Sequence, residues 1–173
     1  MMTYDIHNPQ AFLRELMANV ATPVSVVTTF DEQRPHGTTV SAFISLSMAP
    51  PMVLVSLTAG SDSLKMIRRT GRFGLNILAA TQADLAKQFA SKMDDRFANV
   101  TWTLDQGVPR MDGTLGWIAC TTTNIVPAGD HELVIGLVVG GENFGVHPLT
   151  YHSRTFGTHV NLGAEVCPVA VHA

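Results

Sequence analysis

The stretch Pro23–Leu46, PVSVVTTFDEQRPHGTTVSAFISL, decides the fold class. Two β-branched arms, VSVVTTF and TTVSAFISL, flank the turn formers Asp31-Glu32-Gln33-Arg34-Pro35, so the stretch reads as a β-hairpin. Beyond it Pro50-Pro51 breaks the chain before MVLVSL, which makes three consecutive strands. Upstream, Asn8 and Pro9 form an N-cap and first-turn pair, and Phe12, Leu13, Leu16 and Met17 recur at helical spacing. Downstream, Ser61-Asp62-Ser63 opens a helix over LKMIRRT that Gly71 ends as a C′ residue, and FGLNIL returns to strand. Thr81 and Asp84 have the spacing of a capping box, while Leu85, Ala86 and Phe89 share a face, which predicts a surface helix over about 81–91. After Asp94-Asp95-Arg96-Phe97 come two long strands, TLGWIACTTTNIV and HELVIGLVVGGEN. Many strands with two or three interspersed helices predict a mainly-β protein, an antiparallel β-barrel with helical excursions, as one domain over residues 1–173.

With 173 residues and 46% apolar content, the chain can bury a full-sized core. Only 14% of residues are charged, against roughly 25% in typical soluble domains, which fits a surface partly covered by a second subunit. A net charge of −3 and the lack of any Lys/Arg run argue against nucleic-acid or anionic-membrane partners, because such binding needs a concentrated positive field. The opening MMTYDIHNPQ is polar and acidic, and no apolar run approaches the roughly 18 residues of a membrane span. The expected location is the cytoplasm. Cys120 and Cys167 lack a C-x-x-C spacing, which suggests neither a zinc site nor a disulfide scaffold, and Cys120 in GWIACTTT fits a buried small hydrophobe. His147, His152 and His159 have no i, i+4 spacing and no carboxylate close by, so no metal site is expected, and the G-x-S-x-G of a serine hydrolase is absent.

Candidate chemistry sits in a few polar clusters. HGTTVSAF places Thr38, Thr39 and Ser41 directly after Gly37; on a continuous strand Thr39 and Ser41 point to one face and Thr38 to the other. Thr and Ser in a strand also need no reason beyond strand preference. LTAGSDSLKM sets Ser61, Asp62 and Ser63 where a strand gives way to a helix N-terminus, a place suited to an anion if Asp62 turns outward. Ser61 fits an ordinary N-cap equally well. GDHEL puts Asp130 and His131 at the mouth of an apolar strand, where a polar pair has no packing reason to precede LVIGLVV. PLTYHSRTFG follows Gly140-Gly141 and carries Tyr151, His152, Ser153 and Arg154.

In this combination and order the chain resembles the flavin reductase-like family, the small components of two-component flavin monooxygenases, from about Phe12 to about Gly157. The resemblance implies a split β-barrel that binds FMN or FAD, usually as a homodimer. It also implies a reductant, NADH or NADPH, and a separate flavin-dependent oxygenase that receives the reduced flavin. A flavin ring presents several acceptors, one donor and a broad apolar face, so it calls for amides, small hydroxyls and a flat wall. On the family pattern Thr38, Thr39, Val40, Ser41, Ala42 and Phe43 meet the ring, and Ser56, Leu57, Ser61 and Ser63 lie at its phosphate. Phe89, Ala90 and Ser91, in FASKMDDRF, belong to the turn that closes over the flavin.

The family's Gly-Asp-His motif assigns His131 to the nicotinamide nucleotide and makes it the candidate catalytic residue. Hydride transfer needs stacked rings and excluded water more than acid–base chemistry, so His131 is expected to position rather than to take a proton. Tyr151, His152 and Arg154 are expected along the rest of the nucleotide. Where the family often has a further basic residue after the Tyr-His pair, Ser153 stands here, which favours NADH over the 2′-phosphate of NADPH. Two other readings stay open: a flavin-holding electron-transfer or oxidase protein of the same barrel, and a non-catalytic cofactor-binding barrel.

Overall fold

The computed structural model describes residues 4, 6–31 and 33–161. Asn8 accepts a hydrogen bond from the Ala11 amide at 3.2 Å and opens helix α1, Pro9–Ala18, with proline in its first turn. The helix buries none of its residues. A two-residue strand β1, Thr22–Pro23, leads into β2, Ser25–Phe30, and β3, Pro35–Val40, which form the expected hairpin. Asp31 shapes its turn by accepting from the amides of Gln33 and Arg34.

TTVSAFISL is not one strand. It breaks at Ser41-Ala42 into the end of β3 and a separate β4, Phe43–Met48, which pairs with β5, Pro51–Thr58. Helix α2, Asp62–Thr70, runs from the Ser61 N-cap to Gly71, whose φ of 67° provides the left-handed C-cap. Strand β6, Arg72–Ile77, and helix α3, Ala83–Ala90, follow. The Thr81/Asp84 capping box does not form: Gln82 is the N-cap and makes no side-chain cap bond, because its amide is committed to the Ala79 amide and the Asp112 carbonyl. Two long strands, β9 (Gly116–Ala128) and β10 (His131–Asn143), carry the rest of the main sheet. The sequence reading lacks two small ribbons, β7–β8 (Trp102–Asp105, Val108–Met111) and β11–β12 (Leu149–His152, Thr155–Thr158).

The main sheet has seven antiparallel strands in the order β3-β2-β6-β9-β10-β5-β4. Its two outer strands, β3 and β4, are therefore joined by the dipeptide Ser41-Ala42 alone. Laid flat, seven strands would separate the outer axes by about 29 Å, whereas three residue steps reach at most ~11 Å. The sheet must curl until its edges meet, which is what makes it a barrel. β2 is buried along most of its length: Val27 joins one core cluster with Val55, Leu64, Ile67, Phe73 and Val134, while Val26, with Val24 just before the strand, joins another with Leu78, Phe89, Phe97 and Leu149. α2 covers the first cluster and α3 the second. Cys120 is 1% exposed in the first cluster, and burial pushes its thiol up to about 12, so it behaves as a small hydrophobe. Cys167 lies outside the described residues.

Candidate active site

The corner where the sheet edges meet holds a cavity of about 220 Å³. Thr38, Thr39 and Val40 bring β3 to it, and Ser41-Ala42 form the corner itself. Ser56, Leu57 and Thr58 come from the end of β5, Ser61 from the α2 N-cap and His131 from the first position of β10. Because β3 ends at Val40, held there by the Ser25 hydroxyl donating to the Val40 carbonyl at 2.9 Å, strand alternation does not carry through to Ser41. The Thr39 hydroxyl is already used, donating to the Ala86 carbonyl of α3 at 2.7 Å. The Ser56 amide donates to Ala42 O at 2.9 Å, which continues the β4–β5 ladder up to the corner.

His131 owes its position to sheet register. β9 and β10 turn through Gly129-Asp130, with Gly129 at φ 66°, so Ala128 faces His131 on one side and Thr58 of β5 faces it on the other. Its Nδ1 lies 2.8 Å from Asp130 Oδ1, and its Nε2 lies 3.5 Å from the Thr58 hydroxyl, at the outer limit of a hydrogen bond. The imidazole beside Asp130 holds that carboxyl below the usual range, so it stays an acceptor at neutral pH and favours a proton on Nδ1.

A second cavity of about 1230 Å³ shares Thr38 and Ser61 with the first. Arg34, Pro35, His36 and Gly37 line it from β3 and its turn, Asp62, Ser63 and Met66 from α2, and Trp102 from β7. Lys92, Met93, Asp94, Asp95, Arg96 and Phe97 close it after α3. Asp62 turns outward, 87% exposed and 2.8 Å from Lys65 Nζ. Lys65, and at longer range His36 and Arg96, lower its pKa. The carboxylate therefore leaves the strand-to-helix junction open to an anion, the condition set by the sequence.

The sequence-predicted residues divide accordingly. Thr38, Thr39, Val40, Ser41, Ala42, Ser56, Leu57, Ser61 and His131 meet at the corner, and Ser63 lines the second cavity. Phe43 packs against the first core cluster, Phe89 is fully buried in the second, Ala90 is exposed, and the Ser91 hydroxyl donates to the Gln88 carbonyl at the end of α3. Tyr151, His152 and Arg154 lie on the β11–β12 hairpin, which pairs with β1 in a separate three-stranded sheet and lines neither cavity. Thr58, His36 and the cations Arg34, Lys92 and Arg96 are cavity residues that sequence reasoning missed. Thr58 becomes visible only through the β5–β10 register, whereas Lys92 and Arg96 stand in the FASKMDDRF stretch that had already drawn notice. Among the described residues no group of three or more His, Cys, Asp or Glu could hold a metal ion.

A sequence profile described as "Flavin reductase like domain" matches residues 17–159. The chain belongs to the flavin reductase-like family. It is 39% identical, over 87% of its own length, to a protein named "Probable flavin reductase" from Rhizobium meliloti (strain 1021), of which it spans only about half (49%). It is 36% identical to an "NADH-dependent flavin reductase" from Rhodococcus sp, with 88% of each chain covered. Among solved structures, nitrilotriacetate monooxygenase component B from Mycobacterium thermoresistibile superposes with a TM-score of 0.86 at 31% identity, covering 93% of this chain and 92% of the other. That solved structure shares the mainly-β barrel architecture described above.

Proposed function

We propose that this protein, as a single domain, is a flavin reductase that uses NADH to reduce FMN or FAD and supplies the reduced flavin to a separate monooxygenase component. One observation carries the reading: His131, held between Asp130 and Thr58, stands on the rim of a corner lined by Thr38, Ser41, Ala42 and Ser56. When bound there, flavin would supply the two-electron acceptor that the described side chains lack. Cys120 is buried with its thiol pushed up to about 12, so it offers no substitute. The corner's amides and hydroxyls would hold the flavin beside Val40 and Leu57, which line the corner while packing into the first core cluster. His131 orients the nicotinamide for hydride transfer, two electrons and one proton moving together, and needs no proton of its own to do so. Tyr151, His152 and Arg154, away from both cavities, have at most a secondary share in holding the nucleotide.

The family relationship supports NADH as reductant and an oxygenase as recipient, since the Rhodococcus relative is named for the first and the Mycobacterium structure is named as a monooxygenase component. A homodimer is part of the proposal. Edge strand β4 presents Ile44, Leu46 and Met48 to solvent, Met48 at 81% exposure, and α1 presents Leu13, Leu16 and Met17. Bare apolar edges of this kind call for a cover. The cytoplasm, which holds the pool of nicotinamide nucleotides, is the proposed location; among the described residues no helix is long and apolar enough to cross a membrane.

The test is NADH oxidation with and without added flavin. Oxidation that requires flavin, by protein that sediments as a dimer, supports the reading. A flavin-free preparation that consumed NADH at an undiminished rate would sink it.

A further inference from the structure

We infer that Asp130 and Thr58 are positioning residues for the reduction: they hold the His131 imidazole as its Nδ1–H tautomer and leave Nε2 as an acceptor on the corner, so that the reductant is selected by the N–H of its carboxamide. The inference rests on the flavin reductase reading above and adds how the nicotinamide is told from its analogues.

A neutral imidazole has one donor and one acceptor nitrogen, and without a fixed partner it populates both tautomers. Here the partner decides. Asp130 Oδ1 lies 2.8 Å from Nδ1, and an ionised carboxylate can only accept, so the ring proton sits on Nδ1 and the lone pair on Nε2. The hydrogen bond from His131 lowers the Asp130 pKa, which keeps that acceptor ionised throughout the neutral range. On the other side of the ring Thr58 stands directly opposite His131 on the β5–β10 ladder, with its hydroxyl 3.5 Å from Nε2. Facing a lone pair, that hydroxyl donates. A contact this long is weak, and an N–H arriving from the cavity can take its place.

The two holders share one frame. The Ala59 amide donates to the Asp130 carbonyl at 3.0 Å, and the Thr58 carbonyl accepts from the Ser61 amide at 3.1 Å, so the strand end that carries Thr58 and the turn that carries Asp130 are tied to each other beyond the ladder. Among the described residues no Lys, Arg, Asp or Glu lines the corner, and its side-chain polar groups other than His131 are hydroxyls. The corner therefore sorts reductants by hydrogen-bond polarity and not by an ion pair. A carboxamide brings N–H donors that the Nε2 lone pair accepts. A ketone in the same place brings none, and a carboxylate sets further lone pairs against Nε2 and a second negative charge beside Asp130.

Two measurements on the full chain test this. In flavin-free protein with isotope-labelled histidine, the nitrogen chemical shifts of the His131 ring, read by NMR at a pH where the ring is neutral and assigned with His131→Ala, report the tautomer without turnover. The wild type is expected in the Nδ1–H form and Asp130→Ala, at a side chain 94% exposed, in a mixture of both. Steady-state flavin reduction then compares NADH with its reduced acetylpyridine analogue, in which a methyl group replaces the amino group of the carboxamide. The two differ in hydride-donor strength, so the quantity read is the change in their kcat/KM ratio from one variant to the next. The preference for NADH should fall about tenfold in His131→Ala and about fivefold in Asp130→Ala. Thr58→Val should lower it about threefold, because the ring is then free to turn about its Cβ–Cγ bond, and Thr58→Ser should restore it. A wild-type ring in the Nε2–H form overturns the inference and leaves the reductase reading standing, because the ring would then donate to the carbonyl that both reductants share. A ratio unchanged in Asp130→Ala or in Thr58→Val, with NADH still reducing flavin, overturns it too. Absence of NADH-dependent flavin reduction in the wild type would instead overturn the reductase reading itself.

Discussion

Of the hairpins that carry a histidine near the turn, β9–β10 and β11–β12 are treated by the structure in opposite ways. At the tip of β9–β10, the hydrogen-bond partners of the His131 ring among the described residues are its neighbour Asp130 and Thr58 across the ladder, and the residue lines the corner cavity. At the tip of β11–β12, Ser153 and Arg154 adopt φ of 48° and 61°, and the turn is fastened to α1: the Ser153 amide donates to the Ala18 carbonyl at 2.6 Å and Arg154 Nη2 donates to Glu15 Oε2 at 2.6 Å. Similar residue types thus do different work. A polar side chain that ties its turn to another element is a fastening, whereas one standing 41% exposed at a cavity rim is available to a ligand.

The largest expected contrast lies in the glycines behind the two regions. A Cβ on Gly37 would stand 2.7 Å from Phe89 Cε1 and 2.9 Å from Cδ1, inside a packed core, whereas one on Gly157 in β12 would meet only Thr150 Oγ1 at 3.7 Å. Gly37→Ala should cost about 1–3 kcal/mol of unfolding free energy by overpacking. Gly157→Ala should be near neutral. Denaturant unfolding of the two variants side by side checks this, and equal midpoints would mean that the Phe89 ring yields to the added methyl group.

Next in size is His131→Ala. It should lower kcat/KM for NADH about tenfold while flavin affinity stays within twofold of wild type, because only the second ligand loses a contact. His152→Ala should leave both parameters nearly untouched. Flavin titration and steady-state kinetics on the two variants separate the outcomes. Loss of flavin along with NADH would make His131 part of the corner's framework instead.

How much of this was legible in the sequence follows the range of the forces involved. The hairpin at Asp31–Pro35, the Ser61 and Gly71 caps and the apolar runs of β5, β9 and β10 are local signals, and each appears where the sequence put it. The break at Ser41-Ala42 was not legible, because it is imposed by closure of the seven-stranded sheet and not by any turn former in TTVSAFISL. The Gln82 cap was hidden for a similar reason: its partners, Ala79 and Asp112, include one thirty residues away. Of the site, the corner residues could be named by family likeness, but Thr58 enters through strand register and Arg34 and His36 through the way β3 approaches α2.

Breaking β3 at Val40 also sharpens what its neighbouring hydroxyls can do. Ser41→Ala, at an exposed corner position whose hydroxyl has no hydrogen-bond partner among the described residues, should weaken flavin by about 0.5–1.5 kcal/mol and leave stability unchanged. Thr39→Ala removes the bond to Ala86 O as well, so it should lower stability by a similar amount and loosen flavin only through α3. Thermal unfolding and flavin titration of the pair show whether the split holds. Two variants with identical profiles would return both hydroxyls to a common structural role.

The smallest expected effect belongs to Arg154, and it is the one that decides whether the β11–β12 hairpin has any share in the site. Its ion pair with Glu15 is between side chains 58% and 48% exposed, and such pairs contribute about 0–1 kcal/mol. That same pairing raises the guanidinium's already high pKa, so its charge is constant across any usable pH range. Arg154→Ala should therefore lower the unfolding midpoint slightly and raise the KM for NADH by no more than about threefold, an increment that shrinks as salt screens the charge. Glu15→Gln keeps the cation and removes only the fastening, so it should match the stability loss and leave the KM alone. If neither variant moves the KM, the hairpin is purely a brace between α1 and the barrel, and the contrast with His131 becomes complete. An Arg154→Ala loss as large as that of His131→Ala would break the contrast, because the nucleotide would then reach a surface that lines neither cavity of the described chain.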